Sequence, residues 1–295
     1  MSAPVLMVLA SLLFASMGVC VKLASALYST GEIVFYRGLI GALYILLVSR
    51  ARGGTVRTRI PAMHAWRSVV GVSALMLWFY AISKLPLATA VTLNYMSSVW
   101  MALFLIGGAV LLGSARVDPR LVATVLTGFA GVALVLQPTL ERDQFQGALA
   151  GLLSGMLSAM AYLQVTALGR AGEPDYRIVF YFSVGGMAAG ACLALLSGLH
   201  PHSATGLALL LATGLLATTA QMMMTRAYAI GRTLSNASLQ YLGIVFSFLF
   251  GVVWFADPVT WPALLGMALI IGAGLVATRL RQQVAADTPQ GTGDS

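Results

Sequence analysis

Ten apolar stretches, each long enough to cross a bilayer, fill residues 4–280 and leave no room for a water-soluble domain. A hydrocarbon core of about 30 Å takes roughly 20 mostly apolar residues per helical span. Bounded by charges and turn residues, the stretches run over 4–27, 32–49, 65–83, 87–112, 120–137, 146–169, 176–199, 204–230, 233–256 and 259–280. Lys84-Leu85-Pro86 divides the third from the fourth, Gln137-Pro138 closes the fifth, and His200-Pro201-His202 divides the seventh from the eighth. Hydrophobic residues make up 59% of the chain and charged residues 9%, against about 45–50% and about 25% in soluble domains. Lipid is therefore the solvent for most of this surface. The fold class expected is an all-α membrane protein.

The same feature removes most chemistry. None of the nine acidic residues lies deep inside a span, and His64, His200 and His202 sit at loops or span ends. There is no His-Glu-x-x-His, and no serine with a histidine or lysine base on a neighbouring stripe, so no enzyme is expected. Cys20 and Cys192 lie in apolar spans without disulfide or metal-ligand spacing, so no metal or cofactor is expected. The net charge of +8 does not indicate nucleic acid, because the 17 Lys and Arg residues spread over the loops instead of forming a patch. No obligate protein partner is indicated. Residues 1–9 lack the basic start of a cleavable leader, and residues 282–295 form a polar tail expected to be disordered.

Orientation follows from the cation bias. With a cytoplasmic N-terminus, thirteen arginines, Arg67 among them, fall to the inside and only Lys22, Lys84 and Arg142 to the outside, with Arg37 inside span two. Both termini are then cytoplasmic.

The two halves echo one another. Ile33-Val34-Phe35-Tyr36 returns as Ile178-Val179-Phe180-Tyr181, and Tyr80-Ala81-Ile82 as Tyr228-Ala229-Ile230. Asn94-Tyr95 matches Gln240-Tyr241, Ala130-Gly131 matches Ala273-Gly274, and Leu12-Leu13 matches Leu152-Leu153. The matches keep their order in corresponding spans. They point to a five-helix duplication, residues 1–140 and 141–281, followed by the tail. Five is odd, so the second copy is expected to be inverted in the membrane, with a site near the midplane where the copies meet.

Polar side chains at membrane depth mark where protein or a wet cavity must face them. Helical spacing groups Ser11, Ala15, Gly18 and Lys22 in span one, and Ser73, Leu77, Tyr80 and Lys84 in span three, with Trp78 pointing elsewhere. Span four offers Asn94 and Ser98, span six Gly151, Gly155, Ser158 and Tyr162, and span eight Thr218, Gln221 and Thr225. Span nine offers Gln240 and Tyr241. A serine or threonine in a membrane helix commonly bonds back to its own backbone. An amide has four hydrogen-bonding positions to satisfy, which makes Asn94, Gln221 and Gln240 stronger candidates. The substrate-binding set expected is Lys22, Tyr80, Asn94, Ser98, Tyr162, Gln221, Gln240 and Tyr241. Amides, hydroxyls and at most one or two lysines suit a neutral, zwitterionic or weakly anionic solute, and the tyrosines would add flat apolar faces.

At these residues the chain resembles the drug/metabolite transporter superfamily, in particular its ten-helix EamA-type exporters. The resemblance rests on the five-plus-five repeat, the small-residue first span ending in Lys22, the Tyr-Ala-Ile segments at 80 and 228, and the Ala-Gly pairs at 130 and 273. Gly113-Ser114 and Ala256-Asp257 stand where family members often carry Gly-Glu. The resemblance implies a central cavity bounded by spans one, three, four, six, eight and nine. Within the family the chain looks most like bacterial inner-membrane exporters of aromatic amino acids and methionine. The function expected is export of such amino acids by alternating access, facilitated or weakly coupled. Export of other small metabolites or drugs is the alternative, and a channel the weaker one.

Overall fold

The computed structural model describes residues 2–51, 53–97, 99–101, 103–104, 107, 119–136, 142–230 and 239–287. Among them are ten α-helices: α1 (Ala3–Ala24), α2 (Thr30–Ala51), α3 (Pro61–Lys84), α4 (Leu87–Tyr95), α5 (Pro119–Leu136), α6 (Arg142–Arg170), α7 (Asp175–Ser197), α8 (Ala204–Ile230), α9 (Leu242–Phe255) and α10 (Trp261–Asp287). The 22 residues of α1 rise about 33 Å, enough to cross a bilayer. Prolines open α1 and α3, where a missing N–H costs nothing. At α2 the backbone N–H of Glu32 bonds to Ser29 Oγ and that of Ser29 to the Glu32 carboxylate, a reciprocal cap. Gly198, with φ of 83°, follows the last residue of α7. Ala256, at φ 50°, is the left-handed residue that ends α9.

Six helices among the described residues are individually long and apolar enough to span, namely those beginning at residues 3, 30, 61, 144, 175 and 204. Shorter apolar helices cover Val122–Leu134, Leu242–Phe255 and Trp261–Val276. In two of the expected spans the helix is interrupted within the described residues. α4 stops at Tyr95, where Met96 N–H bonds to the Leu93 carbonyl at 3.2 Å and Val99 N–H to the Met96 carbonyl at 2.9 Å. The Met96 carbonyl also accepts the Trp100 N–H at 2.9 Å, so three-residue turns are inserted beside the four-residue ladder, and helical backbone resumes at residue 97. Tyr241 is a turn residue of the same kind before α9, with Ile244 N–H bonded to its carbonyl at 3.0 Å. The first interruption, at Met96, follows the pair Asn94-Tyr95, and the second falls at Tyr241 of Gln240-Tyr241.

Packing couples the first half of the chain to the second. α2 packs on α7, α1 on α8, α3 on α6, α5 on α10, and α4 on α9. Exchanging helices one to five for six to ten maps this set of pairs onto itself. Large side chains such as Leu47, Leu196, Val253 and Trp261 stand exposed, as a lipid solvent allows. At the α2–α7 crossing backbone meets backbone. A Cβ on Gly190 would stand 2.7 Å from Phe35 Cα and 2.8 Å from the Gly31 carbonyl oxygen.

One end of the bundle is tied by the turn between α6 and α7. Thr58 Oγ1 donates to Glu173 at 2.7 Å, Arg177 Nη1 does so at 3.0 Å, and His64 Nε2 lies 3.4 Å away. Burial opposes the charged form of Glu173, but the bonds from Thr58 and Arg177 outweigh it and hold its carboxyl below the usual glutamate range. A depressed folded-state value contributes stability above the unfolded pKa, and that contribution is lost as pH falls through the folded value. Glu173→Gln is therefore expected to flatten the acid limb of the stability-versus-pH curve, measured by thermal unfolding between neutral and acid pH. A parallel loss in wild type and variant would refute the assignment.

Candidate functional site

A cavity enclosing about 640 Å³ of non-atom space, open solvent at its mouth included, lies between the two halves. Its apolar walls include Phe14 of α1, Trp78 of α3, Phe182 of α7 and Met224 of α8. Its polar groups include Asn94, Ser158, Tyr162, Gln221 and Gln240.

Each amide is positioned differently. Asn94 precedes the break in α4 and sits against α6, where Gly155 leaves room for the Leu93 and Asn94 carbonyls. Its Nδ2 donates to Ser154 Oγ at 3.0 Å and to Ser158 Oγ at 3.2 Å. Both amide protons are thus used, and Oδ1 accepts no hydrogen bond from the described residues. Gln240, just before the second break, reaches Tyr162 Oη at 3.4 Å. The Gln221 side chain makes no hydrogen bond with the described residues. The threonines behave as membrane-helix hydroxyls do: Thr218 bonds the Gly214 carbonyl and Thr225 the Gln221 carbonyl, each at 2.8 Å.

Of the eight residues expected to bind substrate, Asn94, Tyr162, Gln221 and Gln240 line this cavity. Tyr241 stands beside it, edge-on to the lining Tyr95 with centroids 6.1 Å apart. Ser98 lies outside the described residues. Lys22 and Tyr80 are elsewhere, toward one end of the bundle. Lys22 Nζ donates to the Leu85 carbonyl at 2.9 Å and pairs with Asp257 at 3.5 Å, over the ring of Phe255. The α1 stripe of small residues that leads to it is packing: a Cβ on Gly18 would lie 3.1 Å from Leu87. Tyr80 Oη bonds Gln146 at 3.2 Å.

The face expected of α3 is also corrected. Ser73 is exposed, whereas Arg67, Gly71, Ala74 and Trp78 face the cavity. Arg67, expected at the cytoplasmic edge, is only 6% exposed. Arg37 of α2 is buried to the same degree and lines the cavity with it. So α2 and α7 join the six lining helices expected. The signal for Arg37 was present, since a lone cation inside a span needs a partner or a function.

Residues 1–137 match the EamA-like transporter family. The pseudopaline exporter CntI of Pseudomonas aeruginosa is 31% identical over 281 residues, covering 95% of this chain and 97% of that protein. The chain belongs to the EamA-like transporter family. A riboflavin transporter of Rhizobium johnstonii is 30% identical over 76% of this chain and 72% of its own length. A protein of known crystal structure superposes with a TM-score of 0.63, covering 95% of this chain and 98% of that one at 21% identity, which supports the fold. These relatives bear the names of a pseudopaline exporter and a riboflavin transporter, not of aromatic amino acid or methionine exporters. The chain is accordingly a multi-pass membrane transporter protein.

Proposed function

We propose that the protein is a bacterial inner-membrane exporter that moves an amphipathic small metabolite through this cavity by alternating access. The observation that carries the reading is the lining itself. Phe14, Trp78, Phe182 and Met224 offer apolar and aromatic surface, while Asn94 Oδ1 and the Gln221 amide hold hydrogen-bonding capacity in reserve. The exchange-symmetric packing, with a helix interruption beside each of Asn94-Tyr95 and Gln240-Tyr241, supports two inverted five-helix repeats, residues 1–140 and 141–281. The cation bias supports cytoplasmic termini. Aromatic amino acids and methionine suit the lining, each joining an apolar side chain to a charged head. A larger metabolite is the second reading, favoured by the relatives that carry pseudopaline and riboflavin in their names.

Counterflow in proteoliposomes tests this. Phenylalanine, tryptophan, methionine and riboflavin are offered outside vesicles preloaded with each. Saturable counterflow of any of them supports a carrier, and which one exchanges decides between the readings. Absence of counterflow for all four, or single-channel currents, would sink the proposal. Asn94→Ala and Gln221→Ala are each expected to weaken substrate binding roughly threefold to tenfold, the worth of one neutral hydrogen bond; Gln221→Ala should leave folded yield unchanged, while Asn94→Ala also loses the bonds to Ser154 and Ser158 and is compared at equal folded protein. Unchanged kinetics in both would remove these residues from the site.

A further inference from the structure

The transport reading leaves two cavity groups unused. Arg37 and Arg67 reach the cavity from α2 and α3, and both guanidinium groups lie over one ring, that of Phe182, at 5.1 and 4.5 Å from its centroid. Each arginine is 6% exposed. Arg37 Nε, Arg67 Nε and Arg67 Nη1 are buried without a hydrogen-bond partner, and among the described residues no carboxylate pairs with either side chain. Two like charges buried together, with no carboxylate beside them among the described residues, is a costly arrangement. The attraction of each cation to the Phe182 ring face offsets part of that cost. It leaves the N–H edges, which are the groups that grip a carboxylate in a two-point fork.

Gly71 completes the device. It lies one turn after Arg67, and a Cβ there would collide with the Arg67 guanidinium. The absence of a side chain lets the head fold across α3 and into the cavity.

We propose that Arg37 and Arg67, over the Phe182 ring, form an oxyanion subsite that holds carboxylate groups of the transported metabolite, with a dicarboxylate the best match to two guanidinium groups. This rests on the cavity being the transport route and adds the charge of the cargo. The amides and aromatic walls opposite then receive the uncharged remainder of the molecule. A singly charged amino acid uses half of the subsite.

The test uses the purified full-length protein and four probes: benzylsuccinate with two carboxylates, 3-phenylpropionate with one, neutral 3-phenylpropionamide, and benzylphosphonate as the competing oxyanion. Binding is followed by intrinsic tryptophan fluorescence, since Trp78 lines the same cavity. Affinity is expected to rise about tenfold with each carboxylate, the lower end of a charged hydrogen bond's worth. Arg37→Gln and Arg67→Gln should each remove about one tenfold step for benzylsuccinate, with amide binding as the measure of folded protein. Gly71→Ala keeps both charges but displaces the Arg67 head, and should weaken benzylsuccinate in the same direction as Arg67→Gln. Equal affinity for acid and amide, no benzylsuccinate binding at millimolar concentration, or glutamine variants that bind it undiminished would overturn the subsite. Tighter binding of benzylphosphonate than of benzylsuccinate would overturn the choice of carboxylate. Carrier-mediated counterflow of solutes regardless of charge would sink the subsite and leave the exporter standing. Failure of every solute to exchange would sink the exporter.

Discussion

Gly190→Ala is expected to abolish most of the folded protein, while Gly186→Ala, one turn away on the same helix, is expected to be nearly neutral. The added methyl at 190 would meet the backbone nitrogen of Phe35, its Cα at 2.7 Å and the Gly31 carbonyl at 2.8 Å. None of these atoms can rotate away, so α2 and α7 must separate along their length. Gly38, on the facing helix, is in the same position against Met187 and Ser183 backbone. Overpacking in a core costs about 1–3 kcal/mol even where side chains can adjust, and backbone against backbone lies at or beyond the top of that range. In a membrane the effect is sharper, because close packing replaces the hydrophobic drive between helices. At Gly186 the nearest atoms would be Val34 Cγ1 at 3.9 Å and Val72 Cγ2 at 4.0 Å, which is ordinary contact. Thermal unfolding and monodisperse yield in detergent report both variants. Equal melting temperatures would mean that the crossing is looser than the structure has it.

Both glycines belong to one Gly-xxx-Gly pattern in the sequence, and spacing alone cannot separate them. The same limit governs the site. Periodicity of polar residues picks a helix face, but not whether that face meets a wet space or a neighbouring helix. In α6 the face Gly151, Gly155, Ser158 and Tyr162 contains both, with the glycines against Leu93 and the α4 backbone and the last two residues on the cavity. In α1 the equivalent stripe is packing throughout, and its Lys22 is an end-of-helix partner of Asp257. The amides were readable because four hydrogen-bonding positions cannot all be met by an apolar helix bundle. Asn94-Tyr95 and Gln240-Tyr241 were readable as a repeated pair, but that each pair marks an interrupted helix was not, since neither carries proline or glycine. Arg67 was hidden by its position near a span edge, where a cation ordinarily reaches water. Burial there depends on Phe182, distant in sequence, and on the room that Gly71 leaves.

Neutralising the Lys22–Asp257 pair is expected to bias the transporter toward opening at that end of the bundle. Asp257 does two jobs: Oδ1 faces Lys22 at 3.5 Å, and Oδ2 accepts the Leu87 backbone N–H at 2.9 Å, at the start of α4. Lys22 adds the Leu85 carbonyl at 2.9 Å. One pair of side chains therefore fastens α1 and the α3–α4 turn of the first half to the α9–α10 corner of the second. The side chains are 19% and 14% exposed, so the pair lies between an exposed ion pair and a fully buried one, at about 1–3 kcal/mol. Asn at 257 retains an oxygen for the Leu87 N–H but no charge, so Asp257→Asn should cost less stability than Asp257→Ala. Lys22→Met keeps the stem against Phe255. In the double variant Lys22→Met/Asp257→Asn neither charge is stranded, and stability should recover relative to the sum of the single changes. Under alternating access a state held shut is only fractionally competent, and apparent affinity falls by that fraction. Releasing the fastening should therefore raise apparent affinity for substrate offered from the Lys22 side, up to roughly tenfold for each 1.4 kcal/mol of bias, and lower it from the other. Sided counterflow in oriented vesicles measures both. An equal change on the two sides would show that the pair supports the fold without holding an end closed.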